Sequence, residues 1–130
     1  MRVFLTGGAG YIGSHTLLEV LSGAHEVCVY DDYSNSAPEA LKRVERLSNR
    51  TFQAVTGNIL DQTSLASALA DFQPDVVVHF AGKKAVGESV VKPLMYYENN
   101  VVGTLSLLRG MEAAGCTRLV FSQYYFYRNP

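Results

Sequence analysis

Thr6-Gly7-Gly8-Ala9-Gly10-Tyr11-Ile12-Gly13 restricts what this chain can fold into more than any other stretch. It follows the apolar run Val3–Thr6 and leads into the amphipathic stretch Tyr11–Ser22, so the glycines fall where a strand is expected to turn into a helix. Two overlapping spacings are met, Gly7-x-x-Gly10-x-x-Gly13 and Gly8-x-Gly10-x-x-Gly13. A tight turn there calls for positive φ, a side chain at the second position would hold the backbone away from a pyrophosphate, and the last glycine lets helix and strand meet closely. The helix N-terminus then offers free N–H groups and the positive end of its dipole to an anion. Any tight strand-to-helix turn can carry glycines, so the pattern gains meaning only from its context.

That context is an acidic partner. Asp31 follows a second apolar run, Glu26–Tyr30, and lies 18 residues past Gly13. A carboxylate at that distance can accept hydrogen bonds from the hydroxyls of an adenine ribose. Asp32 comes next, and no Arg lies nearby to receive a 2′-phosphate, so the expected cofactor is NAD rather than NADP. The competing reading is that Asp31 and Asp32 only open a solvated loop.

Three further strand-length runs, Phe52–Thr56, Asp75–Phe80 and Arg118–Ser122, alternate with helix candidates at Pro38–Leu47, Ser64–Asp71 and Leu94–Ala114. In the first helix, Ile12, Thr16, Glu19 and Val20 recur at helical spacing, with Leu17, Leu18 and Leu21 widening the apolar face. Gly23 stands at a plausible C′ position, and Asp61 and Thr63 are candidate caps for the third helix. The strands mostly lack polar alternation, as parallel strands covered on both faces do. The expected fold is therefore α/β, a doubly wound parallel sheet of about five strands in the order 3-2-1-4-5. Such a domain ordinarily has a sixth strand, whereas the last run ends at Ser122 and the sequence stops eight residues later. The expectation is a nucleotide-binding domain over 1–122, cut short before the sixth strand and any substrate domain, with an aromatic tail over 123–130.

Ligands of such sheets sit beyond the carboxyl ends of the strands. That rule selects Asn58-Ile59 after the third strand and Phe80-Ala81-Gly82 after the fourth. Asn58 can bond an adenine amine while Ile59 packs the ring, or Gly57-Asn58 is only a turn. Ala81 and Gly82 are small where a ribose or nicotinamide approaches, or they form a simple loop. Lys83 and Lys84 read as solvated surface. Asn99 and Asn100 are poor interior helix residues, because their side chains compete for backbone hydrogen bonds, and they hint at a ligand or loop contact. His79 reads as a satisfied core histidine; His15, His25 and His79 share no metal spacing.

With a net charge of −1 and no basic block, nothing points to a nucleic-acid or anionic-membrane partner. No run reaches the length of a membrane span, and six residues before the first glycines are expected to leave no room for a signal peptide. Cys28 and Cys116 have no metal or C-x-x-C spacing and read as buried free thiols, so the cytoplasm is the expected location.

Four segments carry a family resemblance: TGGAGYIGSH at 6–15, YDDYSNS at 30–36, HFAGKKAVGESV at 79–90 and KPLMYYENNVVGTL at 92–105. They resemble the UDP-glucose 4-epimerases, members of the extended short-chain dehydrogenase/reductases. The second pair is far more specific than the glycine loop. The resemblance runs through Ser122 but covers less than half of a full-length family member. It implies a tightly held NAD, regenerated in each turnover, while the sugar's C4 hydroxyl is oxidised to a ketone and reduced again from the opposite face. It implies cofactor contacts at Gly7, Gly10, Tyr11, Ile12, Gly13, Asp31, Asp32, Tyr33, Asn35 and Ser36. It further implies contacts at Asn58, Ile59, Phe80, Ala81, Gly82, Lys84 and Asn99, raising Lys84 and Asn99 above their surface and helix readings. Asn58 stands where the family usually has Asp.

The resemblance fails after the fifth strand. Where the family has a Ser or Thr that helps polarise the sugar hydroxyl, this chain has Tyr124. The family's base is the tyrosine of a Tyr-x-x-x-Lys helix, in which the lysine lowers the tyrosine pKa. This sequence has no Tyr-x-x-x-Lys, and only Tyr124 and Arg128 share the spacing. No catalytic residue is therefore assigned, a UDP-sugar partner is expected only in a full-length context, and these residues alone are expected to be inactive. The aromatic tail beside an unprotected strand edge suggests self-association. Two alternatives remain: a non-catalytic nucleotide-fold module that self-associates or binds a protein partner, and another activity of the superfamily such as a nucleotide-sugar dehydratase or reductase.

Overall fold

In a computed structural model of the chain, the described residues are 1–34, 36–81 and 91–122. Asn35, Gly82, Lys84, Tyr124 and Arg128, and the whole 123–130 tail, lie outside them.

Apolar side chains on both sides of Arg2–Thr6 and Glu26–Asp31 are buried, and those of Val76–His79 are buried on one side and partly buried on the other, which requires cover on two faces. β1 (Arg2–Thr6), β2 (Glu26–Asp31), β3 (Gln53–Thr56), β4 (Val76–His79) and β5 (Leu119–Phe121) form one sheet in the order β3-β2-β1-β4-β5. Every pairing is parallel, with Thr6 opposite both Tyr30 and His79. Because side chains alternate along a strand, the sheet divides its apolar residues between two cores. Val3, Leu5, Val27 and Val29 pack with Leu17 and Leu21 of α1 (Tyr11–Ser22) and with Leu41 and Val44 of α2 (Pro38–Ser48). Phe4, Cys28, Tyr30 and Val77 pack with Leu65, Leu69 and Phe72 of α3 (Gln62–Phe72). Leu107 and Met111 of α5 (Gly103–Ala114) complete that second core. The expected class and strand order are both observed.

Several local expectations are corrected. The fourth and fifth strands are shorter than their apolar runs, because pairing covers only Val76–His79 and Leu119–Phe121. The buried stripe of α1 is Gly13, Leu17 and Leu21, at a spacing of four, whereas Glu19 is exposed. Gly23 caps α1 with φ −80°, and the left-handed residue is Ala24 at φ 61°. Asp61 caps α3 by accepting from Ser64 N at 3.1 Å, and Thr63 lies inside the helix.

The largest departure concerns the run 94–114. It is not one α-helix but α4 (Pro93–Tyr97), a π-helical segment (Glu98–Val102) and α5 in succession. The wider turn coincides with the paired asparagines, and such bulges within helices often mark functional positions.

Candidate functional site

The order of the strands reverses between β1 and β4, and loops from four strands converge at their carboxyl ends. β1 runs into Gly7, at φ 72°, whose N–H donates to Tyr30 O at 2.9 Å. A Cβ on Gly7 would come within 2.8 Å of the Phe80 carbonyl carbon, and one on Gly13 would strike Gly7 O. Those two glycines are demanded by the protein's own packing. At Gly10 a Cβ would meet, among the described residues, only Gly7 O, at 3.4 Å, so packing against those residues does not require a glycine there. Gly10 is also the N-cap of α1, with no side-chain cap and no acidic residue in the first turn. The first-turn amides, which a helix leaves without internal acceptors, are thus not claimed by a capping side chain.

Asp31 is 8% exposed. Its Oδ2 accepts from Ala9 N at 3.0 Å, and its Oδ1 from Tyr33 N at 2.8 Å and Ser36 Oγ at 3.4 Å. The carboxylate therefore clamps the glycine loop to the β2–α2 loop. An ionised carboxylate has about four acceptor sites, so room remains for another donor. Asp32 accepts from Ser34 N on Oδ1 and from Asn58 Nδ2 on Oδ2, both at 3.0 Å. Asn58 in turn accepts from Leu60 N on Oδ1 at 2.8 Å, while its carbonyl receives Tyr30 OH at 3.0 Å and Asp61 N at 2.9 Å. Ile59 is buried behind it.

On the far side, Thr6 Oγ1 accepts from Phe80 N at 3.2 Å and Ala81 N at 3.3 Å, and lies 2.6 Å from His79 Nδ1. The tautomer of His79 sets which of the two atoms carries the shared proton. His79 is buried and stacks near Phe121, as a core histidine should. Asn99, in the π-helical segment and 7% exposed, donates from Nδ2 to Ala81 O at 3.2 Å. Thr6 and Asn99 together hold the backbone at the end of β4 from both sides.

These loops border a solvent-open crevice of about 110 Å³. Gly7 and Gly10 border it from the opening turn, and Asp31, Asp32 and Ser36 from the end of β2. Asn58, Ile59, Phe80, Ala81 and Asn99 supply the remaining expected walls. Tyr11, Ile12 and Gly13 sit in the first turn of α1 instead. Tyr11 is 82% exposed, stands edge-on to His15 and borders a separate groove between α1 and α2. Tyr33 is half-buried beside Asp31 without lining the crevice.

Tyr30, Ser34 and Gly57 also line the crevice and were not singled out from the sequence. Gly57 had a readable signal, because it precedes Asn58 in a turn dipeptide. Tyr30 had none, since a strand tyrosine reads as core. Burial, above all, raises the Tyr30 phenol's pKa, against a lowering hydrogen bond to Ser64, with Asp61 and Asp32 pushing the same way as burial. Burial and then the Asp31 charge raise that of Tyr33. Both phenols remain neutral donors at physiological pH. Among the described residues there is no group of His, Cys, Asp or Glu placed to hold a metal ion, and no helix long and apolar enough to cross a membrane.

The chain is similar in sequence and fold to known proteins. The family model described as GDP-mannose 4,6 dehydratase matches residues 4–126. A UDP-glucose 4-epimerase of Klebsiella pneumoniae is 47% identical over 94% of this chain and 88% of its own length. One from Haemophilus influenzae is 48% identical over 94% of this chain, which spans 36% of that relative. The crystal structure of the Bifidobacterium longum UDP-glucose 4-epimerase in complex with NAD+ and UDP superposes with a TM-score of 0.92 at 42% identity. That match covers 94% of this chain and 36% of the Bifidobacterium chain.

Proposed function

We propose, from the premise that this chain belongs to the family described as GDP-mannose 4,6 dehydratase and, with its relatives, to the UDP-glucose 4-epimerases, that it is the NAD-holding portion of such an epimerase. The observation that carries the reading is the crevice at the reversal of strand order. Its one end is walled by Gly7 and Gly10 below an uncapped helix N-terminus, its other by Asp31 and Asp32. The residues fit a dinucleotide: among the described residues nothing but Gly7 O approaches a Cβ on Gly10, and a diphosphate needs that space.

In this reading the amides of Tyr11, Ile12 and Gly13 face the diphosphate, with the helix dipole favouring its charge. Asp31 accepts from the adenine ribose, and the adjoining Asp32 charge disfavours a 2′-phosphate, which selects NAD over NADP. Tyr33 and Ser36 close the ribose side; Asn58 and Ile59 receive the adenine. Phe80, Ala81 and Asn99 form the wall toward the nicotinamide, and Asn35, Gly82 and Lys84 are assigned to the cofactor by the family resemblance alone. When bound, NAD supplies a hydride acceptor and donor for C4 of a UDP-sugar, the chemistry by which UDP-galactose and UDP-glucose interconvert in galactose metabolism. These 130 residues contain no Tyr-x-x-x-Lys pair to move the C4 hydroxyl proton. They are expected to hold NAD without epimerising UDP-galactose by themselves. The cytoplasm suits this chemistry and the free thiols of Cys28 and Cys116.

One observation favours a second reading, a self-associating module. Leu94, Tyr97, Val101, Val102, Leu105 and Leu108 recur at helical spacing and are exposed, as are Val120 and Phe121 on β5. Gel filtration with and without NAD separates the two. The cofactor reading expects NAD to raise the melting temperature of whatever species elutes, and it fails if a well-folded species ignores NAD at millimolar concentration.

A further inference from the structure

Asp32 and Asn58 belong to different loops, 26 residues apart in sequence, yet their side chains meet at 3.0 Å across one end of the crevice. The amide orientation of Asn58 is fixed by its partners. Leu60 N donates to one side-chain atom at 2.8 Å, which must therefore be the oxygen, and this turns Nδ2 toward the carboxylate of Asp32. The backbone of Asn58 is held as well, by Tyr30 OH at 3.0 Å and Asp61 N at 2.9 Å on its carbonyl. On the other side, Ser34 N holds the second oxygen of Asp32 at 3.0 Å. Each half of the contact is thus pre-set by its own loop, and the contact joins the loops.

We propose that the Asp32–Asn58 pair is a latch whose task is to position the β2–α2 and β3–α3 loops around the adenosine end of the cofactor. The inference rests on the reading of the crevice as an NAD site. The latch needs an amide donor on one side and an acceptor on the other, and its charge-assisted form needs one amide and one carboxylate. Two carboxylates at that separation repel, and one of them is driven to take up a proton. Among the described residues, the Tyr30 phenol feels the charges of Asp32 and Asp61, Asp31 adjoins Asp32 in sequence and bears on the Tyr33 phenol, and Asp61 N donates to the Asn58 carbonyl.

The test is calorimetric titration of NAD into the unsubstituted chain, Asn58→Asp, and the exchanged pair Asp32→Asn/Asn58→Asp, at several pH values. Asn58→Ala, which removes the latch without adding charge, serves if Asn58→Asp melts below the working temperature. Asn58→Asp is expected to bind NAD about tenfold more weakly near pH 8, the loss expected from a charge-assisted hydrogen bond replaced by repulsion. Its affinity should recover as pH falls and the two carboxylates share a proton, a change a general loss of structure would not produce. The exchanged pair should restore affinity to within about twofold of the original, because the same bond is remade in reverse. Equal binding by Asn58→Asp, or by Asn58→Ala where it stands in, overturns the latch. So does failure of the exchange to rescue. Absence of NAD binding by the unsubstituted chain is a different result: it removes the function reading first, and the latch with it.

Discussion

Of the glycines in the opening turn, Gly10 is the one with room for a side chain, since among the described residues a Cβ would approach only Gly7 O, at 3.4 Å. Its φ of −72° is also open to any residue. Gly10→Ala should therefore leave stability within about 0.5 kcal/mol, as an unstrained substitution does, while weakening NAD binding by an order of magnitude or more. Gly7 is the opposite case: φ is 72° and the Phe80 backbone lies 2.8 Å from a Cβ, so Gly7→Ala is expected to cost about 1–3 kcal/mol in thermal melts. The glycine spacing announced the turn, but it could not tell these two roles apart, because they depend on what lies across the loop. The same holds for Asp31. Its distance from Gly13 marked it as a ribose acceptor, whereas its bonds to Ala9, Tyr33 and Ser36 depend on loops meeting in space.

Cys28 offers a separate check at this scale. Burial pushes its thiol up to about 11, against a small lowering by Arg2. The folded value lies above the ordinary thiol value of 9.0, so the stability gained from keeping the thiol neutral is present below pH 9 and lost as pH rises toward 11. Native chain at pH 8 should react with a thiol reagent at Cys28 far more slowly than unfolded chain, and Cys28→Ala should unfold less steeply above pH 9. Rapid native labelling at Cys28 would contradict its placement in the core.

Elements came through the sequence unevenly. α1 was readable to the residue, Tyr11–Ser22, because an apolar stripe begins directly after the glycines. The π-helical segment Glu98–Val102 was not, since one extra residue in a turn leaves the apolar pattern of 94–114 almost unchanged. Only Asn99 and Asn100, unsuited to a helix interior, marked the place. Asn99 Nδ2 bonds Ala81 O from within that segment, so Asn99→Ala should cost about 1–2 kcal/mol and weaken NAD binding together. Asp61→Ala, which removes only the cap on Ser64 N, should cost about 1 kcal/mol and leave NAD affinity alone. Paired melts and titrations distinguish the two: an equal effect of both substitutions on NAD would deny the π segment a part in the site.

At the scale of the molecule, parallel pairing brings the loops after β1, β2, β3 and β4 to one end of the sheet, and the reversal of order between β1 and β4 opens the crevice there. The alternation of short apolar runs with amphipathic stretches made that topology legible. The walls of the crevice were largely legible as well, through the strand-end rule and the family resemblance. Its internal bonds, Thr6 to Ala81 and Asp32 to Asn58, were not, because they join residues far apart in sequence. The measurement that bears most directly on the whole account is titration of NAD, and in parallel NADP, into the purified chain, followed by calorimetry and by thermal unfolding. The expected result is saturable binding of NAD at one site per chain with a rise in melting temperature, and markedly weaker binding of NADP. A folded chain that shows no heat and no thermal shift at millimolar NAD would contradict it.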